Sequence, residues 1–182
     1  MNARNSANNP APSSASHSAR NTARQTVSPG RFTAHTDEPF VVFLIGMRVN
    51  KFWAVDKWTP VAQAMAPMLE TLHRYPEKGF LGGESFFRLL PLTTLLLSYW
   101  RSFEDLERFA RSPSEPHLKA WQSFSKSVGS DGSVGIWHET YQISPGNYEV
   151  VYSNMPVFGL AAATNHVPVT SRRENASQRL AQ

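Results

Sequence analysis

The segment Val134–Ile143 (VGIWHETYQI) places a histidine, His138, directly before a carboxylate, Glu139. Imidazoles titrate near neutrality, so a histidine can take up and return a proton or ligate a metal. The β-branched and aromatic content of the segment predicts a strand, and neighbouring strand residues point to opposite faces. His138 then shares a face with Val134, Ile136 and Thr140, and Glu139 shares one with Trp137 and Tyr141. The two cannot form a single acid–base couple. Whichever of them faces a cavity is the catalytic candidate, and a core histidine bonded to backbone is the alternative for His138.

Arg48 and Arg101 end the two most apolar strand segments. A guanidinium leaving such a strand is costly to bury alone, so each needs a carboxylate. Glu139 is an internal candidate for that partner; an anionic substrate is the external one. Tyr99, Trp100, Trp121 and Tyr141, with Trp53, Trp58, Trp137 and Tyr152, can line a pocket for a flat apolar ligand or form core and interface. The substrate-binding candidates are therefore Arg48, Arg101, Tyr99, Trp100, Trp121 and Tyr141. Asn50-Lys51 and Asn154 follow strands, where loops often carry function. The chain has no cysteine, which excludes disulfides, thiolate zinc sites, iron–sulfur clusters and cysteine nucleophiles. No phosphate loop, nucleotide fingerprint, Ser–His–Asp order or paired metal-binding histidines occur.

Val41–Val49 reads as a buried strand, too short for a membrane span. Thr59-Pro60 predicts a helix start, followed by an inner face of Val61, Met65, Met68, Leu69 and Leu72, with Pro67 expected to kink or split the helix. Phe80–Arg88 is a second strand, marked at Gly82-Gly83 for a bulge or close backbone approach. Thr93–Arg101 is a third. Ser102 caps a short helix that buries Leu106, Phe109 and Ala110. Pro116–Val128 reads as a further helix, with Leu118, Trp121, Phe124, Ser125 and Val128 inward and Gly129 as its stop. Val134–Ile143 is the fourth strand, and Tyr148–Tyr152 a last extended piece. The order predicts an α+β, ferredoxin-like βαββαβ sandwich with helices on one face of an antiparallel sheet. Apolar residues on both faces predict that a second copy covers the other one, giving a homodimer.

The net charge of +4 belongs to the ends of the chain. Arg4, Arg20, Arg24 and Arg31 precede Asp37 with no acid among them; Arg172, Arg173 and Arg179 follow Pro168 against Glu174 alone, so residues 37–168 carry −2. Nucleic-acid binding by the core loses its electrostatic footing. Residues 1–36 are rich in Asn, Ser, Ala, Pro and Arg and are expected to stay without structure, as are 169–182. The folded domain is then 37–168. No apolar stretch has signal-peptide length, so a cytoplasmic protein with no membrane partner is expected.

The runs FLIGMRVNKFW (43–53), FLGGESFF (80–87), YWRSFEDLERFARS (99–112), HLKAWQSF (117–124), VGIWHETY (134–141) and YEVVYSNMP (148–156) resemble the DUF4188 family, whose members are described as monooxygenase-like or phenylacetaldoxime-dehydratase-like. The resemblance covers about residues 38–165 and implies the dimeric α/β-barrel superfamily, where two ferredoxin-like protomers pack their sheets into one barrel. It implies a small-molecule enzyme, monooxygenase-like and hence an oxidoreductase, acting on an apolar or aromatic substrate, with His138, His117 and Glu139 as the catalytic candidates. A heme-binding dehydratase and a non-catalytic ligand-binding protein are the alternatives. The superfamily's usual heme ligand comes from the helix at Pro116–Val128, whose histidine here is His117; one turn on, at the position used by heme-degrading members, stands Trp121. If heme is bound, His117 or His138 is its expected ligand.

Overall fold

The computed structural model describes residues 26–112, 122 and 131–180. Its strands are β1 (Ser28–His35), β2 (Phe40–Val49), β3 (Phe80–Arg88), β4 (Thr93–Trp100), β5 (Val134–Ile143), β6 (Tyr152–Met155) and β7 (Asn165–Pro168). The helices are α1 (Val55–Arg74), α2 (Phe103–Arg111), α3 (Leu160–Ala163) and α4 (Ala176–Leu180). Four strands form an antiparallel sheet in the order β3–β4–β2–β5. With α1 between β2 and β3 and α2 between β4 and β5, this is the ferredoxin-like α+β fold. The helix predicted at Pro116–Val128, with His117 and Trp121, lies outside the described residues except at Gln122, which is helical.

Strand alternation divides the sheet into two faces. Val41, Phe80 and Trp100 pack with Leu72 of α1 and Leu106 and Phe109 of α2. The Trp100 ring meets Phe80 and Phe109 at 5.5 Å each, contacts worth about 0.5–1.5 kcal/mol apiece beyond the area they bury. Further along the same face, Met47, Val49 and Val134 pack with Trp58, Val61, Leu92 and Ile136. Ser102 Oγ accepts from Asp105 N–H at 3.1 Å, the predicted cap of α2. The predicted bulge in β3 falls between Phe80 and Gly82; at Gly83 a Cβ would come within 2.9 Å of the Leu97 carbonyl oxygen, the predicted close approach.

Four expectations need correction. Ser28–His35, placed in an unstructured arm, is the central strand of a second sheet, β6–β1–β7. Composition hid it because both partner strands lie more than a hundred residues away, and Thr33 is buried with its hydroxyl donating to the Val150 carbonyl at 2.7 Å. The segment after Pro168 is tied down as well: Arg31 pairs with Glu174 at 2.6 Å and Arg179 with Glu149 at 2.5 Å. The folded part therefore exceeds 37–168 at both ends. Helix α1 starts at Val55, not at Thr59, and Pro60 and Pro67 lie within it. Both prolines are exposed, so the helix loses backbone bonds only on its wet side and runs unbroken. Of the last extended piece, only Tyr152 belongs to a strand.

The second sheet changes the other face of the main sheet. Phe40, Val42, Leu97, Tyr99 and Ile143 are covered by Ala34, Tyr148, Val150, Tyr152 and α3. One end of the face expected to wait for a second copy is thus filled by the chain itself. Leu44, Leu95, Phe86, Trp137 and Tyr141 share this face by register; none is fully buried, and the last three are exposed.

Candidate functional site

Register assigns each candidate a face. His138 lies opposite Ile45 and so belongs to the helix side; its ring stacks obliquely on Phe43 at 5.9 Å. The helix-side positions of the four core strands are otherwise apolar or uncharged: Phe43, Ile45 and Met47 on β2, Leu96 and Ser98 on β4, Ile136 and Thr140 on β5, Phe80 and Ser85 on β3. Among the strand positions of that face, His138 is the one ionisable side chain. The residue stands exposed at the edge of an apolar floor, with Met68 and Leu69 of α1 on the same side of the sheet. An imidazole so placed can exchange a proton with a bound apolar molecule or ligate a metal.

Glu139 belongs to the opposite face, where its Oε2 accepts from the Tyr141 hydroxyl at 2.6 Å. That bond is the main reason the Tyr141 pKa is raised, because it stabilises the protonated phenol. Arg48 shares the same face by register and has no ion pair among the described residues. Arg101 found its carboxylate, but not in Glu139. Its Nε and Nη2 reach Asp105 at 2.8 and 2.7 Å, and Arg108 closes on the same buried group at 2.7 Å. Trp100 is core, its Nε1 donating to Ser98 Oγ at 3.1 Å. His138 and Trp100 thus stand on one face, Glu139, Arg48, Tyr99 and Tyr141 on the other. His117 and Trp121 lie outside the described residues.

Two weaker candidates turn out to be structural. Asn154 adopts a positive φ of 54° and its Oδ1 accepts from Gly30 N–H at 2.9 Å, holding β6 to β1. Asn50 and Lys51 clamp the approach to β5: both backbone N–H groups donate to the Ser133 carbonyl, at 2.9 and 3.1 Å. Lys57 pairs with Asp131 beside them, and that bond holds the Asp131 carboxyl far below the usual carboxylate range.

Sequence reasoning missed a polar cluster between the two sheets. The Tyr99 hydroxyl is pushed up to about 12 by burial, with the neighbouring Tyr152 and Glu84 adding to it. Burial also raises Tyr152, against the backbone N–H groups of Ala161 and Leu160. Gly159 has a φ of +57°, and a Cβ there would lie 3.3 Å from the Tyr152 hydroxyl and 3.4 Å from that of Tyr99. Its N–H donates to Glu84 Oε1 at 3.4 Å. Glu84 belongs to the GGES run, but no spacing rule links it to Tyr152 or Gly159.

A family model described as Monooxygenase af470-like matches residues 40–160. Monooxygenase af470 of Aspergillus fumigatus is 29% identical over 136 residues, which are 69% of this chain and 48% of that protein. The chain therefore spans about half the length of the curated relative it matches. The crystal structure of an aldoxime dehydratase superposes with a TM-score of 0.56 at 18% identity, over 80% of this chain and 45% of the other. Among the described residues no helix is long and apolar enough to cross a membrane, and no three metal-binding side chains gather.

Proposed function

Because the chain belongs to the monooxygenase af470-like family, we propose that it is a monooxygenase-like enzyme acting on an apolar or aromatic small molecule against the helix side of the sheet. The observation that carries this reading is His138, the single ionisable group on an otherwise uncharged floor of Phe43, Ile45, Leu96 and Ile136. In its neutral form the imidazole takes a proton from the substrate; as imidazolium it returns the proton or steadies a developing anion. The Phe43 ring lies beside the imidazole, with centroids 5.9 Å apart. His117 is proposed as a second proton-transfer group, from its place in the HLKAWQSF run. Glu139 and Tyr141 are assigned to the opposite face, where we propose that a second copy docks.

A heme-dependent reading rests on the same residue. A neutral imidazole beside apolar surface has the donor chemistry to hold a heme iron, so His138 would be the residue that holds it, and a heme bound there would supply redox or Lewis-acid chemistry.

Oxygen uptake with a panel of phenolic and polycyclic aromatic compounds, comparing wild type with His138→Ala and His138→Gln, tests the enzyme reading. Proton transfer by a positioned side chain contributes about 10²–10⁴-fold. We expect a loss of that order in both variants, with thermal stability kept because the ring is exposed. Turnover indifferent to both substitutions would overturn the role of His138. Hemin titration separates the cofactor readings: a Soret band that vanishes in His138→Ala assigns heme to this residue, and oxygen uptake without such a band assigns a cofactor-free reaction.

A further inference from the structure

The end of the main sheet where β2 stops carries apolar side chains that the core leaves outside. Phe52 is 76% exposed and Trp53 68%, on the β2–α1 loop; Leu89 is 70% and Leu90 89% exposed, at the β3–β4 tip. Single exposed apolar residues are ordinary on protein surfaces, but these stand on two loops joined at their bases through Val49 and Trp58. Val49 N–H donates to the Leu92 carbonyl at 2.9 Å, and Leu92 packs in one cluster with Val49 and Trp58. Trp58 Nε1 in turn donates to the Phe52 carbonyl at 3.1 Å, and the Phe52 and Trp53 rings meet edge to face at 5.3 Å. The aromatic loop is fixed from behind by the bonds of Asn50 and Lys51 to Ser133. The loop that carries Phe52 and Trp53 is hydrogen-bonded on both sides, so immersing these side chains would order little further backbone.

The same end is positive. Among the described residues Arg48 has no ion pair, and Arg88 has no acid partner and donates to the Thr93 hydroxyl at 3.3 Å. Lys51 donates to the Asp131 carbonyl at 3.1 Å, a neutral partner. Lys57 and Asp131 neutralise one another, and Asp56 in the first turn of α1 is the acid on the aromatic loop's side.

We propose that this tip is a docking surface for an anionic lipid bilayer. Phe52, Trp53, Leu89 and Leu90 enter the headgroup–acyl boundary, and Arg48, Lys51 and Arg88 stay at the level of the phosphates. Protruding aromatic and aliphatic side chains behind a collar of cations match that interface in both polarity and charge, whereas a protein partner would more often meet a broad face than two projecting tips. The inference is independent of the proton-transfer reading, since it uses neither His138 nor His117.

Sedimentation of the full chain with phosphatidylcholine vesicles, with and without phosphatidylserine, tests it. We expect binding to the mixed vesicles that weakens as salt is added. The double variant Trp53→Ser/Leu90→Ser should lower partitioning at least about tenfold on both compositions, because two large apolar groups no longer leave water. Arg48→Gln/Arg88→Gln should lower it only on anionic vesicles, by about fivefold per charge. The variants sit on the surface, and unchanged thermal stability identifies a direct effect. No sedimentation with either vesicle overturns the proposal. So does binding that survives Trp53→Ser/Leu90→Ser, which would assign it to Arg4, Arg20 and Arg24. Self-association of the wild type without lipid, abolished by the tip variant, would assign the surface to a second copy instead.

Discussion

Asp105 shows how one buried carboxylate organises its surroundings. Its side chain is buried while Arg101 and Arg108 are exposed, so the two guanidiniums cover it from the wet side. The need of Arg101 for a carboxylate was legible in the sequence; the identity of the partner was not, because the first turn of α2 brings Asp105 back over the strand end, four residues on. Asp105→Asn keeps the shape and removes the charge, and should cost about 1–3 kcal/mol in denaturant unfolding. Gly79 packs against the same carboxylate with a φ of +85°, and a Cβ there would overlap Asp105 at 2.4 Å. Gly79→Ala should be destabilised by about 1–3 kcal/mol through strain and displacement together. Between the sheets, Tyr99 has its pKa raised from 10 to about 12, first by burial. A folded-state pKa above the unfolded one means that burying the neutral phenol contributes fully below pH 10. That contribution is lost as pH rises from about 10 through 12. Thermal melts of the wild type should therefore fall across that window, and Tyr99→Phe should fall less steeply. The alternation of His138 and Glu139 was equally legible. Which face meets the helices was not, since that follows from the order β3–β4–β2–β5 and not from any single strand.

Among the elements, the four core strands and both short-range landmarks, the Ser102 cap and the irregularity of β3 at Gly82-Gly83, could be read from local pattern. Helix α1 shows the limit of that reading. Thr59-Pro60 has the local chemistry of a helix start, yet the helix begins at Val55, where packing of Trp58 and Val61 on β2 rewards an extra turn. Thr59 pays for the override with a buried hydroxyl that has no hydrogen-bond partner among the described residues. Pro67 leaves the Gln63 carbonyl without its backbone donor, and its own carbonyl accepts from the Thr71 hydroxyl at 2.9 Å. Because Pro67 is exposed, Pro67→Ala restores a helical bond without disturbing the core. Equilibrium denaturation should show a gain of about 1–2 kcal/mol with an unchanged m value; a loss would mean that the chain relies on proline's restriction of the unfolded state. β1 was illegible for a different reason. Its pattern of Phe32, Thr33 and Ala34 is weak by itself and becomes a strand only between β6 and β7, partners far along the chain.

At the scale of the molecule, the second sheet decides how much of the main sheet remains for a partner. It closes the end at Phe40, Tyr99 and Ile143 and stops short of Leu44, Leu95, Phe86, Trp137 and Tyr141. Trp137 lies across Gly46, whose missing side chain makes room for the indole: a Cβ there would meet Nε1 at 2.6 Å. A large flat ring laid over the sheet, flanked by aliphatics and a Glu139–Tyr141 pair, has the composition of an interface centre. A second copy related by a two-fold axis would place the same patch on itself. It would have to meet the first off-centre, toward Trp137, because β1 and α3 occupy the other end. We expect the protein to sediment at twice its chain mass of 20.4 kDa, and Trp137→Lys/Leu95→Asp to sediment at once that mass with its far-ultraviolet spectrum kept. A stable dimer needs about 1,000 Å² of total buried surface, more than one indole supplies, so Trp137→Lys alone should weaken the association and not abolish it. A wild type that stays monomeric at high concentration would remove the partner from the proposal while leaving His138 untouched, since that residue faces the helices of its own chain.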